Sequence, residues 1–250
     1  MQTKILGTTL PVLECVLSAG EAVIGEAGRM SWMSEDVTMA TSTSYAGGSG
    51  GFMGAIKRMA GGGTLFTSSY TAGAAGGLVA FSTTIPGQIL PVSVSPGHDY
   101  IVHRHGFLAA TNGVQLSAAF QQSLGGALFG GEGFILQRVG GQCDAWIQLQ
   151  GEIVTYDLQP GQNLFVHPAH IGMFTDGTQF GITTIKGLKN KFFGGEFFLV
   201  KLTGPGKVWL QSLTLQGLAQ DLMPYLPTAE AGNAGAGGAV GGLIGGLLKG

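Results

Sequence analysis

Histidine side chains are the reactive groups of this sequence whose placement is most informative. There are five, in two clusters: His98, His103 and His105, then His167 and His170. No short spacing typical of a metal-binding motif joins them, and neither cysteine lies in such a motif. Any site built from them must therefore be assembled from residues that are distant in the sequence.

Internal repetition links two of the histidines with a carboxylate. Glu26, His103 and His167 each lie six residues after a glycine that separates two predicted strands. If the repeats surround a pseudo-threefold axis, these three side chains are related by it. Two imidazoles and one carboxylate suit a divalent transition metal. The alternative is that they are exposed or hydrogen-bonded strand residues on three separate faces. Because metal–nitrogen bonds are only about 2.0–2.1 Å long, side chains more than about 10 Å apart exclude the site.

Other catalytic patterns are weak in the sequence. The Gly-x-Ser-x-Gly match at Gly47-Gly-Ser-Gly-Gly51 lies in a glycine-rich stretch that is typical of a flexible loop and not of a nucleophile elbow,. The glycine-rich stretch Gly47–Gly51 lacks the Lys-Ser/Thr ending of a phosphate-binding loop,. Cys15 and Cys143 are too few for a disulfide framework, so both are predicted to be free thiols,. With no cofactor indicated beyond a possible divalent metal, the sequence favours a protein that is not an enzyme.

The elements that position these residues recur three times. A strand–glycine–strand pattern is centred on Gly20, Gly97 and Gly161, the last two 64 residues apart. A Gly-Gly-x-Leu/Phe-Phe element recurs at 62–66, 125–129 and 194–198, and an apolar triplet at 79–81, 145–147 and 208–210. Several agreeing positions at one period indicate internal duplication.

The repeats predict an all-β fold of three small β-modules of about five to seven strands each, packed round a pseudo-threefold axis. The predicted modules are 1–86, with an inserted Gly-rich loop at 42–63, then 87–150 and 151–215. Period-two alternation in 92–95 and 154–158 supports strands,. The remaining 216–250 is predicted to be a helical turn followed by a Gly-rich apolar tail.

Composition limits the partners. Only 10% of residues are charged, 46 of 250 are glycine, and the net charge is −2. The lack of a basic patch argues against nucleic acid. Low charge favours self-association, and the candidate interface residues are Phe52 and Met53 in the inserted loop and Leu243, Ile244 and Leu247 in the tail. About ten apolar residues in the tail fall short of the ~20 that a membrane span needs, so at most a peripheral membrane contact is expected. With no secretory signal at the N-terminus, we expect a cytoplasmic location.

Several motifs together resemble a known family. They are the opening segment 5–14, Glu26-Ala-Gly-Arg-Met30, the Gly-Gly-x-Leu-Phe elements, and Gly204-Pro-Gly-Lys-Val-Trp-Leu-Gln211. Over roughly 1–215 the chain resembles the mitochondrial-biogenesis ("altered inheritance of mitochondria") family, which has many uncharacterised bacterial members. The resemblance implies a fold similar to the tryptophan RNA-binding attenuation protein, with β-sandwich or double-stranded β-helix-like modules repeated within the chain. It implies no catalytic residues.

Three functions are consistent with these observations. The favoured one is a non-catalytic structural or interaction protein that self-associates. The second is an RNA-binding module, which rests on the fold analogy and on aromatic residues such as Phe197, Phe198 and Trp209 as a stacking platform. The third is a metal-binding enzyme or sensor that uses Glu26, His103 and His167.

Overall fold

The strands predicted from the repeats form the bulk of the molecule. The computed structural model describes residues 1–42, 67–122, 134–184 and 198–226. These residues contain nineteen β-strands and, after them, one α-helix, α1 (Leu215–Leu222). The prediction of an all-β fold with a short helix near the C-terminus is confirmed.

After an initial strand, the others follow in three sets of six along the chain. The initial strand is β1 (Gln2–Leu6). Set 1 is β2 (Val12–Leu17), β3 (Ala22–Glu26), β4 (Met30–Met33), β5 (Val37–Ser42), β6 (Thr67–Ala72) and β7 (Gly77–Ser82). Set 2 is β8 (Gly87–Val94), β9 (Tyr100–His103), β10 (Phe107–Thr111), β11 (Val114–Gln122), β12 (Phe134–Gly141) and β13 (Cys143–Gln150). Set 3 is β14 (Ile153–Leu158), β15 (Asn163–Val166), β16 (Ile171–Thr175), β17 (Gln179–Thr184), β18 (Phe198–Thr203) and β19 (Gly206–Gln211).

All three sets use the same antiparallel pairings. The sixth strand pairs with the first and the third, and the fifth strand pairs with the second and the fourth. A register shift interrupts the pairing of the third and sixth strands at the same point in each set. It falls at Met30/Trp32, Phe107/Ala109 and Ile171/Met173. These shared irregularities fix which residues correspond from set to set.

Consecutive sets are joined by one further pairing. The second strand of a set pairs with the third strand of the next set, as β3 with β10 and β9 with β16. The resulting sheets have the orders β1-β2-β7-β4, β5-β6-β3-β10-β13-β8, β11-β12-β9-β16-β19-β14 and β15-β18-β17. Backbone hydrogen bonds therefore run continuously from one set to the next.

The core of the described residues consists of three apolar clusters, and all three cross from one set to another. The first contains Leu13, Cys15 and Phe81 of set 1 together with Trp146 of set 2. The second contains Ile24 of set 1 and Met173 of set 3 together with residues of set 2. The third contains residues of set 3 together with Ile101 of set 2. Burial of apolar side chains, the main favourable term in folding, therefore stabilises the junctions between sets as well as each set.

The turn glycines adopt the backbone conformation expected of them. Gly20, Gly97 and Gly161 have φ of +75°, +83° and +76°, and no atom lies within 4 Å of a Cβ built on any of them. Glycine is needed there for its backbone freedom and not for lack of space. Each of these turns directs the chain from the first to the second strand of its set.

Some predictions concern parts of the chain that the structure does not describe. The inserted loop beyond Ser42, most of the Gly-Gly-x-Leu/Phe-Phe elements, and the interface residues Phe52, Met53, Leu243, Ile244 and Leu247 lie outside the described residues. Contacts divide the chain into one unit, Met1–Gln216, and a second unit that begins at Gly217. The module boundaries and the pseudo-threefold arrangement stay predictions.

Candidate functional site

The three residues of the predicted metal site occupy matching places along the chain. Glu26 is the last residue of β3, His103 is the last residue of β9, and His167 directly follows β15. Each therefore begins the turn that leads from the second to the third strand of its set. The count from the turn glycines located equivalent positions.

Glu26 is paired within its own turn. Nε of Arg29 donates a hydrogen bond of 2.7 Å to Oε2 of Glu26. Burial raises the pKa of the Glu26 carboxyl, and the nearby Arg29 guanidinium opposes that rise. The same guanidinium donates from Nη1 to the hydroxyl of Thr84 at 3.1 Å. The carboxylate is thus used to hold Arg29 across the turn.

The histidine side chains form hydrogen bonds with the backbone of their own turn or of the neighbouring sixth strand. Nε2 of His103 donates to the backbone carbonyl of Gln148 at 3.3 Å. Nδ1 of His167 accepts from the backbone N–H of Ala169 at 3.4 Å, and Nδ1 of His170 donates to the carbonyl of Gln211 at 2.8 Å. Burial lowers the pKa of His103 to about 4 and lowers that of His167 as well. At neutral pH the His103 imidazole is therefore uncharged and serves as a structural donor.

The structure does not bring the three together as metal ligands. Within the described residues, which include all three, no group of three or more His, Cys, Asp or Glu side chains is placed to hold a metal ion. Glu26 and His167 are hydrogen-bonded within their own turns, and His103 is hydrogen-bonded to Gln148 of β13. The geometry gives the divalent-metal hypothesis no support.

Two buried glutamines that bind these turns were not predicted from the sequence. Nε2 of Gln148 donates to the carbonyl of His105 at 2.7 Å, and Nε2 of Gln211 donates to the carbonyl of Ala169 at 3.1 Å. Gln148 and Gln211 both lie one residue after the apolar triplet of their set, so their common offset is a sequence signal that could have found them. They lock the turns that carry the histidines onto the sixth strands.

An ion pair spans the junction of sets 2 and 3. Nη1 of Arg138, on β12, donates to Oδ2 of Asp99 at 3.1 Å and also bonds Oδ2 of Asp176, which follows β16. These hydrogen bonds raise the pKa of the Arg138 guanidinium further above its already high value, the larger part through Asp176. Arg138 thus ties the fifth strand of one set to the turn after the third strand of the next.

The aromatic platform proposed for RNA is only partly within the described residues. Phe197 lies outside them. Trp209 is half-buried, with its ring 6.0 Å from that of Tyr100 in an edge arrangement and Nζ of Lys207 5.4 Å from its centroid. A base stacking on Trp209 would have to displace these neighbours, so this residue is not an open stacking surface.

Strand β4 is an exposed apolar edge. Among the described residues it pairs only with β7, whereas the corresponding strands β10 and β16 are flanked on both sides. Trp32 is 48% exposed and Met33 is 38% exposed. Their counterparts Ala109, Ala110, Met173 and Phe174 are all buried. Trp32 and Met33 are exposed because no second described strand lies beside β4.

Strand β15 is the second such edge. Within the part of the chain that the structure describes, it pairs only with β18, whereas β3 and β9 are flanked on both sides. Phe165 is 55% exposed, while its counterparts Ile24 and Ile101 are buried. Neither β4 nor β15 contains a charged residue or a proline, the features that usually prevent a free edge from pairing,. These two strands are the candidate functional surface of the molecule.

Similarity to known proteins covers nearly the whole described fold. The family model described as Mitochondrial biogenesis AIM24 matches residues 3–213. The chain belongs to the mitochondrial biogenesis AIM24 family. This confirms the resemblance read from the motifs, and the Gly-rich tail lies beyond the match. The likeness to the tryptophan RNA-binding attenuation protein stays a prediction.

Two relatives of this AIM24-family chain come from Streptococcus pyogenes. A protein described as uncharacterised, from serotype M6, is 29% identical over 222 residues, which are 88% of each chain. The crystal structure of protein SPYM3_0169 is similar with a TM-score of 0.72 and 25% identity, over 90% of this chain and 99% of that one. Both matches extend across all three strand sets, so the similarity concerns the complete fold.

A membrane-spanning helix is not found among the described residues. None of their helices is both long and apolar enough to cross a bilayer. The cytoplasmic location stays a prediction.

Proposed function

We propose that this AIM24-family protein is a non-catalytic structural protein whose copies self-associate through the free edges of β4 and β15. The observation that carries the proposal is the exposure of Trp32, Met33 and Phe165 at positions whose counterparts in the other sets are buried. A free strand edge presents unpaired N–H and C=O groups and is a template for another chain. Apolar side chains beside such an edge add the favourable burial that association requires.

The proposal includes the three-module organisation read from the sequence, with modules 1–86, 87–150 and 151–215 in a pseudo-threefold arrangement and a fold similar to the tryptophan RNA-binding attenuation protein. The shared pairing scheme and the shared register shifts support this organisation. A duplicated unit carries the same binding edges in every copy. In a chain of three such units, the first unit and the last each keep one edge without a neighbour.

The chemistry of the turns supports a structural role. The Glu26 carboxylate and the imidazoles of His103 and His170 are hydrogen-bonded within turns or to adjacent strands. Groups held in this way position the backbone and are not presented to a substrate. We therefore assign the polar residues of the turns to the stability of the fold.

The test is the molar mass in solution, measured by sedimentation equilibrium over a range of concentrations. We expect a mass above the 25.6 kDa of one chain, rising with concentration. Phe165→Lys should weaken self-association by at least about tenfold, because burying one large apolar side chain contributes about 1.5–3 kcal/mol. A mass of one chain at every concentration would refute the proposal.

The matched control is a lysine at a different exposed apolar position. Tyr156, on β14, is 45% exposed, but β14 is a first strand, and the corresponding strand β8 is likewise at the edge of its sheet. Tyr156→Lys should leave the mass unchanged. If Tyr156→Lys and Phe165→Lys dissociate the protein equally, the surface is wrongly placed.

A further inference from the structure

We infer that β15 of one copy pairs antiparallel with β4 of the next copy, with Met33 opposite Phe165, Trp32 opposite Val166, and Glu35 beside Lys201. The inference rests on the proposed function and names its interface. It treats the junction between two copies as a repetition of the junction between two sets within one chain.

The register follows from the two internal junctions. Where β3 meets β10, Ile24 is opposite Ala110, and where β9 meets β16, Ile101 is opposite Phe174. Ala110 and Phe174 each lie opposite the first residue of the apolar triplet on the sixth strand, and in set 1 the residue in that place is Met33.

The opposing residue is fixed in the same way by the fifth strand. Ile101 is paired with Arg138 of β12, and Val102 is paired with Gln137. His103 and His167 correspond, so the residue of set 3 that matches Ile101 is Phe165, which is paired with Lys201 of β18. Met33 and Phe165 are the counterparts that have no partner strand in another set, and both are exposed.

Charge supports the same register. At the junction of sets 2 and 3, Arg138 bonds Asp176, which lies two residues after Phe174. The residue that corresponds to Arg138 is Lys201, and two residues after Met33 lies Glu35. The inferred junction thus places a lysine and a glutamate where the internal junction has an arginine and an aspartate. Neither Glu35 nor Lys201 forms an ion pair with another described residue.

The junction of sets 1 and 2 shows that this charge pair is not a general property of the repeats. Ile24 is paired with Ser69 of β6, and the residue two after Ala110 is Asn112. That junction has two uncharged residues where the inferred one has opposite charges. The combination of lysine on β18 and glutamate after β4 therefore favours an end-to-end contact between two copies.

The interface joins two different surfaces of the chain. Each copy has one β4 edge and one β15 edge, so a contact between two copies leaves one edge of each kind free. Such a heterologous contact continues until it closes into a ring or extends as a fibre.

Disulfide trapping tests the register. Purified Met33→Cys and Phe165→Cys chains are mixed and oxidised, then separated without reductant. Directly opposed residues of antiparallel strands have Cα atoms roughly 4.5–5.5 Å apart, which is within the range for a disulfide. We expect a crosslinked dimer in the mixture and none from either variant alone.

Leu164→Cys is the off-register control, because neighbouring residues of a strand point to opposite faces. Its mixture with Met33→Cys should give no dimer. Dimers from Met33→Cys alone would mean that two β4 edges meet, and they would overturn the inference.

Charge reversal gives an independent readout. Glu35→Lys and Lys201→Glu should each weaken self-association by roughly two- to fivefold, as expected for an exposed ion pair. The chain that carries both changes should recover the wild-type affinity. Lys4→Glu, on the exposed strand β1, is the control and should change nothing. Additive weakening in the double variant would contradict the pairing of Glu35 with Lys201.

The outcomes separate the inference from the proposed function. A self-associating wild type without the Met33–Phe165 crosslink refutes the register and leaves the proposed function standing. A wild type that is monomeric throughout refutes both. A disulfide within a single chain of the Met33→Cys/Phe165→Cys variant at high dilution would show that the two edges close on each other, and this also overturns the inference.

Discussion

Desolvation of the His103 imidazole makes the stability of the fold sensitive to acid, and the hydrogen bond of this imidazole to Gln148 acts in the opposite direction. Burial lowers the pKa of His103 to about 4, and the charges of His105 and Arg29 nearby act in the same direction. In the unfolded chain a histidine titrates near pH 6.5. Between these two values the unfolded state binds a proton that the folded state does not.

The free energy of unfolding should therefore fall as the pH falls through this window. The contribution of His103 to this free energy is fully present above about pH 6.5 and is lost progressively down to about pH 4,. A difference of about 2.5 pKa units at about 1.4 kcal/mol each gives a loss of about 3.5 kcal/mol from this residue. That is a large part of the 5–15 kcal/mol typical of a folded protein.

The assay is urea unfolding at several pH values from 7.5 to 4.5, for the wild type and for His103→Gln. Glutamine does not titrate, and its amide can still donate to the Gln148 carbonyl. The pH dependence should be clearly shallower in the variant. His98→Gln, which removes an exposed histidine, is the control for substitution itself. Parallel curves for wild type and His103→Gln would refute the assignment of His103 as a partly buried neutral donor.

Three further substitutions test the turns and the core. Gln148→Met removes the donor to the carbonyl of His105 and should cost about 1–3 kcal/mol, since that acceptor is then left without its partner,; urea unfolding measures it. Gly25→Ala would place a Cβ 2.4 Å from Cε1 of Phe81 and should lower stability by about 1–3 kcal/mol, seen as a lower melting temperature,. Gly97→Ala forces alanine to φ +83° and should cost about 1–2 kcal/mol despite the open space around it, so a neutral result in thermal unfolding would contradict the conformational argument,.

Local patterns in the sequence were sufficient for the strand class and for the position of the main turns. The alternation in 92–95 falls within or beside β8, and that in 154–158 falls within β14. Gly20, Gly97 and Gly161 have the positive φ that their context requires. These features depend on a few neighbouring residues, so a single sequence contains them.

The role of the histidines could not be read in the same way. Counting from the glycines gave Glu26, His103 and His167 equivalent positions, but equivalence along a repeat does not make side chains neighbours in space. The acceptor of His103 is the carbonyl of Gln148 and that of His170 is the carbonyl of Gln211, and each acceptor lies more than forty residues from its histidine.

The free strand edges also could not be predicted from the sequence. Met33 and Phe165 have the apolar character of any buried strand residue. Their exposure depends on which strands pair between sets, and those pairings join residues far apart in the chain. A pattern with period two identifies a strand and its faces, but it does not identify the neighbour at each edge.

The two free cysteines are natural probes of local opening of the fold. Burial raises the pKa of the Cys15 thiol to about 12, and a neutral thiol in the core reacts slowly with alkylating reagents,. Cys143 is half-buried and packs against the second cluster, while Cys15 belongs to the first. The labelling rates of the two thiols in the unmodified protein would therefore report on local opening in separate regions. Assembly should slow the labelling of a thiol only where its exposure requires the joined strands to open.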